Sequence, residues 1–305
     1  MALGADGVSG QAYPTKPIRI VTSPAGGGGD FTSRIIAQAI SGPLGQPVIV
    51  DNRGSGFIPG EVASKAPSDG YTLLVNGSTL WVFPLLRKAP YDPVRDFAPI
   101  SVAERTVFIV AVHPSLPAKS TKELIAMAKA KPGELNYGSG SVGSANHLAV
   151  ALFASMAGIN VVHVPSKGPQ LAMTAQISGE TQLTIFDAGL VLPHVKSGRL
   201  RALAVTSAEQ SVLVPGVPTV AASGVPGYQA TGMTAVLAPA NTPAAIISRL
   251  NEEIVRGLNR PEVKQQFLNA MVEVVASSPE QLAATIKSDM ARMSKVIQDA
   301  GIRLD

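Results

Sequence analysis

The 305-residue chain has no cysteine. Disulfides and thiolate metal centres are therefore excluded. Its four histidines, His113, His147, His163 and His194, are dispersed. None pairs with a carboxylate at metal-ligand spacing, so no metal is expected. Aromatic residues make up 5% and charged residues 15% of the chain. The 25 basic residues form no stripe interleaved with aromatics, which argues against a nucleic-acid partner. No apolar run reaches the roughly 18 to 20 residues of a membrane span. Met1 to Ala12 is small and polar and reads as a fusion scar or a mature start. No repeat or low-complexity segment is present.

What remains is a chain that is 46% hydrophobic, with a net charge of +4. That content supports a sizeable core arranged as two lobes. Strands are expected at Ile18 to Thr22, Val48 to Val50, Tyr71 to Val75, Val107 to Val112, Leu135 to Tyr137, Val161 to Val164, Leu183 to Phe186, Leu200 to Thr206 and Ala235 to Ala238. Helices are expected at Phe31 to Ile40 with Asp30 as N-cap, and at His147 to Met156. Capping boxes at Ser120 and Ser278 open two more, and Thr242-Pro243 starts another as N-cap and first helical residue. The alternation implies parallel sheets flanked by helices.

Two segments carry chemistry. Ser23 to Asp30 reads Ser-Pro-Ala-Gly-Gly-Gly-Gly-Asp, and Tyr137 to His147 reads Tyr-Gly-Ser-Gly-Ser-Val-Gly-Ser-Ala-Asn-His. Each follows a strand and precedes a helix. Helix N-termini present unpaired N–H groups, and glycine lets an anion approach them. Gly138 to Gly143 matches GxGxxG, but no acidic residue follows about 20 positions later, as a dinucleotide site requires. Gly26 to Gly29 lacks the Gly-Lys-Ser/Thr of a phosphate loop. A tight structural turn remains open for either segment. Asn76 to Thr79 is a plain turn or a third ligand loop, and Asp187 a polar contact or a turn-former. His147 either caps the turn or reaches the ligand. No GxSxG elbow exists, and nothing favours a hydrolase built from Ser139 or Ser141, His147 and Asp187.

The landmarks, in order, resemble the Bug-type substrate-binding receptors of tripartite tricarboxylate transporters. They begin with Tyr13 to Arg19 (Tyr-Pro-Thr-Lys-Pro-Ile-Arg), Pro24-Ala25-Gly26-Gly27 with Asp30 and Arg34, and Leu44 to Val48. They continue through Asp51-Asn52-Arg53, Asp69 to Leu74, Pro90 to Pro93 with Asp96-Phe97, Tyr137-Gly138-Ser139, His163-Val164-Pro165 and Arg201 to Thr206. The resemblance implies an α/β, two-lobed periplasmic-binding-protein fold with two crossing strands, the Venus-flytrap arrangement. It places lobe 1 at 13–107 and 235–305 and lobe 2 at 108–234, with crossings near Val107 to Val112 and Met233 to Pro239.

The implied function is extracytoplasmic capture of an organic carboxylate for a tripartite transporter, without catalysis, cofactor or metal. The chain is expected to be periplasmic and monomeric, with the transporter's membrane subunits as partners. The family resemblance and the two turns together give the candidate ligand contacts. They are Ser23, Ala25, Gly26, Gly27, Gly28 and Asp30; Asn76, Ser78 and Thr79; Ser139, Ser141, Val142, Gly143, Ser144 and His147; and Ser166 and Asp187. The family usually carries bulky side chains where Ser23, Ser166 and Met233 stand. Those departures point to a larger solute, an aromatic or long dicarboxylate such as terephthalate. A serine hydrolase, an NAD-linked enzyme and a ligand-presenting sensor partner are the competing readings.

Overall fold

The computed structural model describes residues 13–54, 56–299 and 301–302. Met1 to Ala12, read above as a fusion scar or a mature start, lies outside the described residues.

The chain alternates strands and helices, as the patterning requires. The first half of the N-terminal lobe comprises β1 (Ile18–Thr22), α1 (Gly28–Leu44), β2 (Val48–Asn52), α2 (Ile58–Ser64), β3 (Thr72–Gly77) and α3 (Thr79–Leu86). The long strand β4 (Phe97–Val112) leads out of it. The second lobe holds α4 (Thr121–Ala130), β5 (Asn136–Ser139), α5 (Ala145–Ala157), β6 (Val162–Pro165), α6 (Pro169–Ser178), β7 (Leu183–Asp187), α7 (Ala188–Lys196) and β8 (Arg201–Val205). The chain returns through β9 (Thr231–Pro239), α8 (Ala244–Leu258), α9 (Pro261–Asn269), β10 (Glu273–Val274) and α10 (Pro279–Asp299).

The strand order is β2-β1-β3-β9-β4-β7-β5-β6, with β8 and β10 also pairing β4. Strand β4 joins the two lobes. From Phe97 to Val107 it pairs with β9, and from Phe108 to Val112 with β7 and β8. The expected strand at Val107 to Val112 is only its second half. The first half escapes a pattern search because Pro99, Glu104 and Arg105 interrupt it, and its register slips at Pro99/Ser101 and Val102/Glu104. On the return, β9 joins the first-lobe sheet from Thr231 onward.

Helix α10 packs on α3 in one lobe and on α5 in the other. Its Ser278 capping box is formed: Ser278 Oγ accepts from Gln281 N (3.2 Å), and Gln281 Oε1 accepts from Ser278 N (2.9 Å). Ser120 likewise caps α4, accepting from Glu123 N (3.2 Å). The N-cap of α8 is Pro243, not Thr242, whose hydroxyl turns back to Pro239 O (2.7 Å). Leu148, Tyr228, Ile286, Met293 and Trp81 belong to one buried cluster that runs between the lobes. Tyr228 Oη donates to Ala149 O at 2.9 Å inside it.

Candidate functional site

The turn after β5 is built to leave donors free. Gly143 has φ +74°, which only glycine adopts cheaply. Ser144 is the N-cap of α5, with its oxygen facing His147 N (3.4 Å) and its hydroxyl directed to Ser141 O (2.7 Å). Gly143 N–H donates to His147 Nδ1 (2.9 Å). Among the described residues, no acceptor meets the N–H of Ala145 or Asn146, the first two helical residues. Asn146 Nδ2 is buried and has no hydrogen-bond partner. Three donors therefore converge at one helix N-terminus, where the positive dipole end also lies.

Ala145 and Asn146 wall a chamber of about 340 Å³ together with Ser141, Ser144, Phe108, Phe186 and Asp187. A narrower chamber of about 30 Å³ adjoins it, sharing Phe108 and Ala145. Ser78 and Thr79 form its opposite wall, with Val82, Leu148 and Met293 as apolar surface. Ser78 is the N-cap of α3 and donates its N–H to Met233 O (3.0 Å). Asn76 stands just before it, its Oδ1 accepting from Gly77 N (2.8 Å). Two helix N-termini, one from each lobe, thus face one cleft with an apolar middle.

Several expected contacts lie behind the turn instead. Ser139 is fully buried; its hydroxyl lies 3.1 Å from Ser141 O and 2.6 Å from His163 Nε2. His147 and Val142 open into a separate cavity on the far side, beside His163 and Tyr137. His147 stacks on His163, with centroids 4.0 Å apart and planes 8° from parallel, and Tyr137 lies near-parallel beside the pair, 4.8 Å from His163 and 6.1 Å from His147. Burial, with the neighbouring His163, pushes His147 down to about 4. The Gly143 N–H is taken by His147 and is not offered to the cleft. Ser139 and His147 hydrogen-bond within and behind the turn, and Val142 and His147 line the far-side cavity. Ser139 has a histidine within reach, but among the described residues neither histidine has a carboxylate partner, and a fully buried hydroxyl reaches no substrate.

The first glycine turn differs from expectation. Helix α1 begins at Gly28, with Gly27 as N-cap, so Asp30 is its third residue and not the cap. Two glycines at the start of a helix hide it from a propensity reading. The Asp30 carboxylate is buried, accepting from Gly26 N (2.9 Å) and Asn52 Nδ2 (2.9 Å) and pairing with Arg34 Nε (2.9 Å). Burial alone would raise its pKa, but Arg34, the Gly26 N–H and Asn52 outweigh that and hold it at about 2. Asp30 therefore braces the turn. Ala25 to Gly28 are exposed and wall neither chamber.

Ser23, Ser166 and Met233 do not share a cavity. The Ser23 hydroxyl sits against Gly29 at the start of α1, and Ser166 N–H bonds back to Ser139 O (2.9 Å). Met233 lines a third cavity, behind the hinge. The argument that these three small or flexible residues enlarge one pocket fails on placement. GxGxxG is also explained without a nucleotide. A Cβ on Gly140 would press Pro169 N at 3.2 Å, and one on Gly138 would press Thr181 Oγ1 at 3.3 Å.

Two carboxyls near the hinge have no salt-bridge partner among the described residues. Asp187 walls the larger chamber, and burial raises its pKa. Glu104, on β4, is buried and pushed up to about 7 by burial; Thr234 and Thr106 partly oppose the rise, and the Asp187 charge adds to it. Sequence reasoning overlooked Asn146, Ala145, Phe108 and Phe186. Asn146 and Ala145 were in plain view inside the glycine-rich run; the two phenylalanines carry no local signal, because only the fold turns them to the cleft.

Comparison with known proteins follows the same lines. Residues 32–302 match the model of the tripartite tricarboxylate transporter family receptor. Protein BugT of Bordetella pertussis is 34% identical over 97% of this chain and 93% of its own length. A structure of R. palustris Rpa4515 with adipate superposes with a TM-score of 0.80 at 33% identity, covering 95% of this chain and 99% of that one. The periplasmic binding protein BugD gives a TM-score of 0.76 at 26% identity, covering 95% and 99%. The matched family is one of receptors, not enzymes, and BugD, a periplasmic binding protein, shares the fold described above. No helix among the described residues is long and apolar enough to cross a membrane.

Proposed function

Because the chain belongs to the family of tripartite tricarboxylate transporter receptors, we propose that it captures a dicarboxylate in the periplasm and delivers it to the membrane subunits of such a transporter. The carrying observation is the set of unpaired donors at the start of α5, Ala145 N–H, Asn146 N–H and the buried Asn146 Nδ2. A buried donor without an acceptor costs about 1–3 kcal/mol, and a ligand carboxylate would remove that cost. Ser78 and Thr79 would meet the solute from the other lobe. Asp187, whose pKa burial raises, would complete the polar wall on the second lobe's side.

The apolar middle, with Phe108 and Phe186, favours a long aliphatic or a flat aromatic diacid over a compact hydroxy-acid. The adipate carried by the 33%-identical Rpa4515 agrees with that choice. A chamber of about 340 Å³ lies within the roughly 300–1,000 Å³ of small-molecule sites. Closure would involve hinges at Val107/Phe108 on β4 and just before Thr231 on the return. In that division, lobe 1 is 13–107 plus the chain from Thr231, slightly earlier than the return at 235 that the family resemblance implies.

The test is a thermal-shift and calorimetry panel of adipate, terephthalate, benzoate, aspartate, glutamate and citrate. Adipate or terephthalate should bind one to one and be recovered unchanged. At 100 times Kd the stabilisation should be about 2.7 kcal/mol. Stabilisation by citrate or the amino acids alone would refute the apolar-diacid reading. Ala145→Asp, which puts a carboxylate among the free donors, should abolish binding while leaving the fold intact.

A further inference from the structure

A second, larger cavity of about 740 Å³ lies behind the hinge, between strands β4 and β9 and helix α10. It carries two arginines, Arg105 from β4 and Arg292 from α10. The Arg105 Nε is buried without any hydrogen-bond partner, and among the described residues no carboxylate pairs with this guanidinium. A buried, unpartnered guanidinium N–H is costly, and its planar fork matches an oxyanion bidentately.

Arg292 is partly used. One nitrogen donates to Gln229 O and another to an oxygen of Asp289, whose second oxygen accepts from Trp81 Nε1 (2.8 Å). Asp289 is the one acidic residue in this wall, so the lining carries a net positive charge. The side-chain amide NH2 groups of Gln229 and Gln281 also lack partners among the described residues and add neutral donors to the same wall.

From this arrangement we infer that the hinge cavity is a second anion site, separate from the cleft. Its ligand is a small oxyanion, a carboxylate or phosphate, gripped by Arg105 and completed by Arg292. Thr231, Asp289 and Arg292 wall both this cavity and the inner cleft chamber. An anion behind the hinge therefore touches the same α10 side chains that floor the cleft. The inference does not depend on what the cleft binds.

Trp81 is the only tryptophan, and its indole N–H ends on Asp289. Its emission and its indole N–H resonance report on this cluster directly. Inorganic phosphate and, separately, citrate are titrated into the wild type and three variants. In Ala145→Asp the cleft is blocked. In Arg105→Gln the guanidinium is lost. In Ser288→Asp a negative charge is added on the exposed face of α10 at the cavity, away from the hinge strand.

At least one anion should give a saturable indole shift in the wild type and in Ala145→Asp. Its affinity should fall at least about tenfold in Arg105→Gln and in Ser288→Asp. Phosphate and citrate titrations distinguish the two chemical sources. Unchanged affinity in Ser288→Asp or in folded Arg105→Gln overturns the inference. So does a shift that vanishes in Ala145→Asp, which would place the anion in the cleft, and so does the absence of any saturable shift.

Discussion

The imidazole of His147 lies flat on that of His163, 4.0 Å away, while its Nδ1 accepts the N–H of Gly143 at 2.9 Å. Nδ1 is therefore the unprotonated nitrogen, and a proton there would face a donor. Burial, with the neighbouring His163, keeps the folded protein from taking a proton until about pH 4, whereas the unfolded chain takes one near 6.5. Between those values the unfolded state binds more protons, so this residue lowers stability as pH falls from 6.5 to 4. The full effect is about 3 kcal/mol. His147→Asn keeps an acceptor for Gly143 and removes the titration. In urea unfolding from pH 7 down to 4.5, the variant should gain stability relative to the wild type as pH falls; a difference that does not vary with pH would exclude His147 as its source.

Glu104 titrates in the opposite sense. Its pKa is raised from 4.5 to about 7, so the folded state holds a proton that the unfolded state releases. Stability from this group is complete below pH 4.5 and falls as pH rises to 7, by about 3 kcal/mol. Because the two windows overlap, the wild-type curve should be shallow, and each single variant should expose the other slope. Glu104→Gln should unfold with stability that rises with pH between 4.5 and 7. His147→Asn should show the reverse. Parallel curves for the two variants would contradict both assignments.

How much of this the sequence reveals depends on whether a feature is local. The capping boxes at Ser120 and Ser278 are local, because cap and partner are three residues apart. The glycine-rich turn at 138–143 is legible for the same reason. The roles inside it are not. Ser139 and His147 look like ligand groups until His163 arrives from a neighbouring strand and Tyr137 lies beside the pair. The full length of β4 is hidden because Glu104 and Arg105 break the apolar run, and only pairing to β9 shows them within a strand. Asn76 to Thr79 reads equally as a turn; its place opposite Ala145 is set by tertiary structure alone.

The close fit of Gly29 gives a test of the first turn. A Cβ there would stand 2.7 Å from Ser23 Oγ and 2.9 Å from Thr22 Oγ1. Thr22 is buried, and its hydroxyl is committed to Val75 O (2.8 Å), so it cannot yield. Gly29→Ala should cost about 1–3 kcal/mol by overpacking, despite the higher helix propensity of alanine. Adding Ser23→Ala should recover only part of that loss, since the Thr22 contact remains. Denaturant midpoints of the single and double variants give the comparison. A stabilised Gly29→Ala protein would show that this junction is looser than the contacts state.

Asn146 separates binding from folding. Its Nδ2 is buried without an acceptor, while its Oδ1 lies 2.6 Å from the Ser144 hydroxyl. Asn146→Asp exchanges the free donor for a negative oxygen beside the proposed carboxylate site. The same change puts an acid in the first turn of α5, where it favours the helix dipole by roughly 0.3–1 kcal/mol and offsets part of the cost of its burial. The fold should therefore persist while affinity for a dicarboxylate is lost. Asn146→Ala removes the donor without adding charge and should weaken binding by about 1–3 kcal/mol, roughly 5- to 150-fold. Asp187→Asn keeps a polar side chain in the wall and should bind better than Asp187→Ala. Calorimetry with whichever panel acid stabilises the wild type reads all four. Unchanged affinity in folded Asn146→Asp would remove the start of α5 from the site, and with it the proposed mode of carboxylate capture.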